Sequence, residues 1–284
     1  MRVSRAVLNN IGVFPILDHY YEPLFRTSSL VKSLREDRSL PGIDFNNEEQ
    51  LHILSRFQFN GELLAFPMEK KEEAEYAYNF GPFLSGDAEY LYSLIRLYKP
   101  RRIIEVGAGQ STLMARNALK KNIDLDSSYD CEHVCIEPYE CDWLEDAGVT
   151  VVRQPVENVE RSLFTLLEEH DILFIDSSHI IRPQGDVLTI CLEILPTLHT
   201  GVLVHIHDIF TPKDYLDEWI KDDVKLWNEQ YLVEAFLSFN SQFRIIGALN
   251  YLKHHYPKEI CAKCPVLQRQ FSTREPGSLW LQRT

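Results

Sequence analysis

Basic residues are in short supply. The 284-residue chain carries 29 Lys and Arg against 42 Asp and Glu, a formal net charge of −13. No basic patch interrupts that acidity, which argues against a nucleic-acid partner, since phosphate backbones are repelled. Long apolar runs are missing too: no stretch reaches the roughly 18–20 apolar residues that cross a bilayer. The opening MRVSRAVLNNIGVFPILDHYYEP has no continuous apolar core of the signal-peptide kind. The expectation is a cytoplasmic protein with no membrane partner. Cysteine is sparse, with six residues at 131, 135, 141, 191, 261 and 264, too irregular for a secreted disulfide scaffold, so reduced thiols are expected. Cys261 and Cys264 form a single CxxC without the second pair of a four-thiolate zinc site, and read as loop cysteines. No repeat or low-complexity tract occurs. What is present is ordinary globular composition, 45% hydrophobic and 25% charged, at a length that suits one large domain or a domain with an extension.

Residues 1–84 differ in texture from the rest. Short helical patterns at 28–34 and 48–57 alternate with turn signals at Pro15, Pro23, Pro41–Gly42 and Gly61, with no strand–helix alternation. The segment reads as an N-terminal helical cap. Its Tyr and Phe residues (Tyr20, Tyr21, Phe25, Phe45, Phe57, Phe59) are expected to pack against a neighbouring element.

Residues 85–284 are regular. Asp87 caps an expected helix over 88–98, whose Leu91, Leu94, Ile95 and Tyr98 recur at helical spacing, and Lys99–Pro100 stops it. The run RIIEV (102–106) reads as a buried strand, followed by a glycine turn and a helix over 111–120. Strands follow at 133–137, 149–153, 172–176 and 202–207, with helices at 159–168 and 186–195. Short apolar strands alternating with helices predict a doubly wound, mostly parallel α/β sheet with right-handed crossovers. Helices at 215–221 and 226–238 precede strand-like segments at 243–248 and 278–281, expected to pair as an antiparallel edge and bring the sheet to seven strands. Ligands of such folds bind beyond the carboxyl ends of the strands, so those ends carry the functional information.

The first strand runs into Glu105-Val106-Gly107-Ala108-Gly109-Gln110-Ser111-Thr112. Glycines at 107 and 109 allow a sharp turn and close backbone approach to a ligand, and the next helix offers unpaired N–H groups. A dinucleotide fingerprint wants a third glycine where Thr112 stands, and the acid ending the second strand, Glu137, comes 30 residues after Gly107 instead of about 20. That weakens a nicotinamide reading. Glu137 can accept both hydroxyls of a ribose, and the two acids suit a positively charged nucleoside better than a pyrophosphate.

This pattern, a hydrophobic residue then Glu-x-Gly-x-Gly, with acidic ends to strands 2 and 4, resembles the class I S-adenosylmethionine-dependent methyltransferase family over about residues 85–284. The resemblance implies that Glu105, Gly107, Ala108 and Gly109 line the methionine side of the cofactor, that Ser111 and Thr112 start the following helix beside it, and that Glu137 binds the ribose, with Asp176 also at the cofactor. In the family's strand order the fourth and fifth strands are neighbours, so Asp176 of Ile175-Asp176-Ser177-Ser178-His179 and Asp208 of His205-Ile206-His207-Asp208 can converge. Two carboxylates with His207 form a candidate hard-metal site for Mg²⁺, with Mn²⁺ or Fe²⁺ as alternatives. The bland alternative is that Asp176 caps a turn and that His205 or His207 faces the core.

These segments are similar to metal-dependent O-methyltransferases acting on sugars of macrolide antibiotics. That resemblance implies that Asp176 binds the ion and that His179, three residues on, is the catalytic base. The family's acidic pair after strand 5 is replaced here by His207-Asp208. The implied activity is metal-assisted O-methylation of a hydroxyl on a small molecule, a sugar or natural-product intermediate, with homo-oligomerisation open. The rivals are a metal-dependent hydroxylase on the same scaffold and a cofactor-binding protein without chemistry. The segment 209–219 (IFTPKDYLDEW) leaves the fifth strand beside Asp208 and is expected to wall the acceptor pocket, with Tyr215 and Trp219 one helical turn apart. Asp18-His19-Tyr20-Tyr21 resembles the leader of uncharacterised bacterial methyltransferase-like proteins, and His254-His255 reads as a solvated loop pair.

Overall fold

The computed structural model describes residues 7, 8, 10–16, 19, 21–139 and 141–284. Asp18 and Tyr20 of the leader lie outside the described residues. Seven strands, β1 (Arg102–Val106), β2 (Glu132–Ile136), β3 (Thr150–Val152), β4 (Ile172–Ile175), β5 (Leu203–Ile206), β6 (Phe243–Ala248) and β7 (Leu279–Arg283), form one open sheet in the order β3-β2-β1-β4-β5-β7-β6. Strands β1 to β5 run parallel, while β7 is antiparallel to both β5 and β6. The inner strands are mostly apolar runs, broken by Glu105 and His205, because both faces are covered.

The helices are α1 (Asn47–Ser55), α2 (Asn60–Leu63), α3 (Asp87–Tyr98), α4 (Gln110–Leu125), α5 (Asp186–Thr189), α6 (Asp217–Lys221), α7 (Glu229–Leu237), α8 (Leu249–His255), α9 (Pro257–Lys263) and α10 (Pro265–Arg269). Successive strand residues point to opposite faces, and the core divides accordingly. Ile103, Phe174, Leu203 and Trp280 share one cluster with Leu94 of α3 and Met114 of α4. Ile104, Leu173, Ile175 and Val204 share the other with Phe164, Ile190 and Val233. Of the N-terminal aromatics expected to pack, Phe57 and Phe59 join the first cluster and Phe45 the second, whereas Tyr21 and Phe25 are exposed; Tyr76, Tyr78 and Phe83 are also buried in the first cluster.

Four expectations need correction. The crossover over 159–168 is not an α-helix but two 3₁₀ segments, Val156–Asn158 and Arg161–Leu166. The Arg161 guanidinium there donates to the carbonyls of Val156, Val159 and Glu157, folding the chain into turns. The 186–195 helix is α only over its first turn, then widens into a π turn over Ile190–Ile194 before Pro196, which cannot donate to an α-helical ladder. His254 and His255 are no loop pair: they end α8 and approach Glu275 and Asp37 at 2.9 and 2.7 Å. Cys261 and Cys264 are not loop cysteines: Cys261 lies in α9, half-buried at the edge of the core, and Cys264 is buried in the core at the end of that helix.

The sheet reverses its winding between β1 and β4, leaving a crevice at their carboxyl ends. Everything in the candidate site gathers there.

Candidate active site

Gly107 follows β1 with φ +85°, and a Cβ built on it would lie 2.1 Å from the carbonyl oxygen of Asp176. The Asp176 amide donates to the Val106 carbonyl at 2.9 Å, so the two strand ends are locked together at van der Waals limits. Glycine is required there by both conformation and space. Below the turn, Thr112 accepts from the Gly109 amide at 3.1 Å and donates to the Glu105 carboxylate. Glu105 and Thr112 are fully buried. They prop the turn from beneath, so it is Gly107, Ala108, Gly109 and the helix-starting Ser111, not those two, that border the open groove.

The groove has two lobes of about 450 and 470 Å³ that share Gly107, Glu137 and Asp176. Glu137 is held at its rim: its carboxylate accepts from the Ala108 amide at 3.2 Å and the Tyr139 amide at 2.9 Å. Each carboxylate oxygen keeps a further lone pair for a ligand hydroxyl. Ser177 borders the same groove, and its Oγ is buried without a hydrogen-bond partner among the described residues. A polar, glycine-floored groove with an acid at its rim and an unsatisfied hydroxyl in its wall fits a nucleoside sulfonium.

Asp176 stands at the inner end of that groove. Its neighbour across the β4–β5 boundary is Asp208, and between them sits His179, whose Nε2 lies 3.2 Å from Asp176 Oδ1 and 3.6 Å from Asp208 Oδ2. Asp176, His179 and Asp208 each offer one donor atom, all within 4.8 Å of one another; the two carboxylates supply the hard oxygens that fit a divalent ion, with the imidazole beside them. His207 lies outside this group. Its Nε2 is 3.5 Å from Asp208 Oδ1, its Nδ1 has no hydrogen-bond partner among the described residues, and its ring packs 5.3 Å from that of Phe83. His205, two residues earlier on the same face, stacks on Phe174 at 3.9 Å and meets Ser278 Oγ at 2.8 Å, so both histidines face the buried side.

His179 and Asp208 both adopt left-handed backbone conformations, φ 59° and 58°. Such conformations cost of order 1–3 kcal/mol and gather at functional sites. The His179 carbonyl accepts from the amides of Asn228 and Glu229 at the start of α7, while Ser178 is tied through its amide and hydroxyl to Asp186, both at 2.7 Å. Glu229 Oε2 lies 2.9 Å from His179 Nδ1 and is buried. The carboxylate accepts a hydrogen bond from Nδ1–H, and Nε2 faces the two aspartates. The Trp227 ring covers the imidazole at 4.2 Å. Sequence reasoning misses Glu229 and Trp227, which lie about 50 residues downstream on an element that carries no motif.

The charges are strongly coupled. Burial opposes ionisation of Asp176, but the His207 charge and the His179 hydrogen bond outweigh it and hold the carboxyl below its usual range. Asp208 is pushed up, chiefly by burial. Burial opposes charging of His179, yet the hydrogen bonds to Asp176 and Glu229 win and raise its pKa to about 10. A histidine whose folded pKa exceeds its unfolded value of about 6.5 contributes stability that is complete below that value and lost as pH rises through the folded one. The Tm of chelator-treated protein is therefore expected to fall between pH 7 and 10, and the fall to shrink in Glu229→Gln; a pH-independent Tm across that window would show that the imidazolium is not held this way.

On the far side of Asp208 a chamber of about 560 Å³ opens, bordered by His207, Phe210, Trp219, Arg35 and Arg274. Tyr215 is buried beneath it, its ring 6.4 Å from that of Trp219 and its hydroxyl accepting from the Gln230 amide. Trp219 thus reaches the chamber while Tyr215 packs the wall.

A family model described as a methyltransferase domain matches residues 104–209, from β1 through the glycine turn to the residue after Asp208. Its span covers the groove and the aspartate cluster. The chain belongs to the class I S-adenosylmethionine-dependent methyltransferase family. This methyltransferase-family chain is 32% identical over 183 residues to an uncharacterized protein of Archaeoglobus fulgidus, a match covering 60% of this chain and 80% of that one. Among solved structures it is similar to the SAH-bound methyltransferase of Podospora anserina, with 16% identity, TM-score 0.44 and coverage of 88% of this chain and 91% of the other. It is also similar to the O-methyltransferase of Bacillus cereus in complex with SAH, with 13% identity, TM-score 0.41 and coverage of 91% and 94%. No helix among the described residues is long and apolar enough to cross a membrane.

Proposed function

We propose that this methyltransferase-family protein moves the methyl group of S-adenosylmethionine to a hydroxyl oxygen of a small molecule, with a divalent ion at Asp176 and Asp208. The observation that carries this reading is the position of Asp176: it closes the inner end of the groove and stands 3.2 Å from the imidazole facing Asp208, whose far side opens into the chamber. Groove and chamber therefore meet at a single cluster.

In this reading Glu137 accepts the ribose hydroxyls, and the backbone of Gly107–Gly109 lies against the methionine portion. Asp176 and Asp208 hold the ion, and the chamber beside Trp219 holds the acceptor. Mg²⁺ or a similar ion, when bound, lowers the pKa of an acceptor hydroxyl and offsets the carboxylates that keep His179 protonated. His179 Nε2 then takes the hydroxyl proton, with Glu229 fixing the tautomer through Nδ1. The oxygen bonds to the methyl carbon as the carbon–sulfur bond breaks and its electron pair returns to sulfur. The sulfonium loses its charge, so the protein's contribution is alignment and exclusion of water; the buried, Trp-covered imidazole serves both.

A panel of hydroxylated sugars and phenols incubated with radiolabelled S-adenosylmethionine tests the reading. Label transfer is expected to fall at least about tenfold after chelation and to return with Mg²⁺ or Mn²⁺. Transfer indifferent to chelation would remove the ion from the reading. Oxygen-dependent product formation with Fe²⁺ and without label transfer would replace it with a hydroxylase.

A further inference from the structure

A second cluster of ligating side chains lies beneath the glycine turn, on the face of β1 and β2 covered by α4. Glu105 of β1 and Cys135 of β2 are register partners, and His133 is two residues from Cys135 on the same face. All three are buried. Cys135 Sγ lies 3.6 Å from Glu105 Oε2 and 3.9 Å from His133 Nε2, and His133 Nε2 lies 3.6 Å from Glu105 Oε1. Two atoms of the cluster, Glu105 Oε1 and His133 Nδ1, are buried with no hydrogen-bond partner among the described residues. An unpaired carboxylate oxygen in the core is costly.

We infer that Glu105, His133 and Cys135 form a second metal site, for a borderline-soft dication of the Zn²⁺ type, separate from the oxygen-rich cluster at Asp176. The chemistry of the donors supports this choice. At tetrahedral angles, Zn–N near 2.0–2.1 Å and Zn–S near 2.3 Å set neighbouring donors roughly 3.3–3.6 Å apart, within a few tenths of an ångström of the two distances from His133 Nε2, 3.6 Å to Glu105 Oε1 and 3.9 Å to Cys135 Sγ. A thiolate and a carboxylate neutralise a dication, and neutral imidazole adds no charge, so the loaded centre is electrically balanced where charge could not otherwise be tolerated. Without an ion, burial and the adjacent Glu105 push the Cys135 thiol up and keep its proton; on loading, that proton leaves to solvent and the ion takes its place. Glu105 Oε1 gains the partner it lacks, and the carboxylate remains the acceptor of Thr112, tying the ion to the prop of the glycine turn.

Because the cluster is closed to solvent, the full-length chain is refolded from denaturant with Co²⁺, a spectroscopic stand-in for Zn²⁺. Coordination by thiolate gives a near-ultraviolet charge-transfer band that an Asp–His–Asp site cannot give, so this test is independent of methyl transfer. The expected result is one equivalent of such a site in the wild-type chain and in Asp176→Asn/Asp208→Asn, lost in Cys135→Ser. His133→Gln retains the thiol and guards against misfolding of the serine variant; its Co²⁺ affinity is expected to fall at least about tenfold. No band in chain refolded to its native circular dichroism would overturn the proposal, as would a band that survives Cys135→Ser or an unchanged affinity in His133→Gln. Any of these results would make the cluster a buried hydrogen-bonded group.

Discussion

Replacing His179 by alanine is expected to lower turnover by roughly 10²- to 10⁴-fold, the usual range for loss of a positioned general base, while S-adenosylmethionine affinity changes by less than about threefold. The separation follows from geometry. His179 is buried between Asp176 and Asp208 and is not among the residues bordering either lobe of the groove. Its imidazole contacts are Asp176, Asp208, Glu229 and Trp227. Single-turnover rates and cofactor affinity measured on the same preparation check this, and an unchanged rate would remove His179 from the chemistry. Glu229→Gln should fall between wild type and alanine, since the amide can still orient the ring but no longer stabilises a cation. Its pH–rate profile should shift to lower pH, a change that a merely structural role for Glu229 would not produce.

The second large effect concerns the fold at the site. Gly107→Ala places a methyl group 2.1 Å from the Asp176 carbonyl oxygen in a left-handed conformation, φ +85°. The conformation alone costs an alanine about 1–2 kcal/mol, and the clash with backbone adds more, because both strand ends would have to separate. A total loss above about 4 kcal/mol is expected, in the range reserved for strained or overpacked sites. Urea unfolding of the purified variant reads it. Gly109→Ala is the control: nothing lies within 4 Å of a Cβ built there, so a small effect on stability is expected. Similar losses in the two variants would show that the Gly107–Asp176 contact is not what makes the turn intolerant.

Much of the architecture is visible in the chain because the buried strands are also the most apolar runs. RIIEV, ILFI and LVHI read as strands at sight, and their carboxyl ends carry Gly107, Asp176 and Asp208 in the positions where a parallel sheet delivers ligand contacts. Motif matching is weaker at telling which residues of a motif touch a ligand. Glu105 belongs to the glycine motif, yet side-chain alternation sends it into the core beneath the turn, where it holds Thr112. His207 adjoins Asp208 in sequence, but the turn into φ 58° at Asp208 carries the carboxylate toward His179 and leaves the His207 ring against Phe83. Glu229 is illegible for a different reason. Its function depends on where α7 docks, a tertiary fact with no local signature. The crossover expected as a helix over 159–168 misleads because the Arg161 contacts to backbone carbonyls select 3₁₀ turns.

The groove over Gly107, with Glu137 at its rim, is the proposed cofactor site on which the chemistry rests. Calorimetric titration of the full-length protein with S-adenosylmethionine tests this directly, alongside Glu137→Ala. Wild-type binding with a Kd of order micromolar, about −8 kcal/mol, and a loss of at least about tenfold in Glu137→Ala are the predicted results, the loss amounting to roughly 1.4 kcal/mol or more for the ribose contacts. Absence of binding by the folded wild-type protein, with or without Mg²⁺, or equal affinity in the variant, would contradict it.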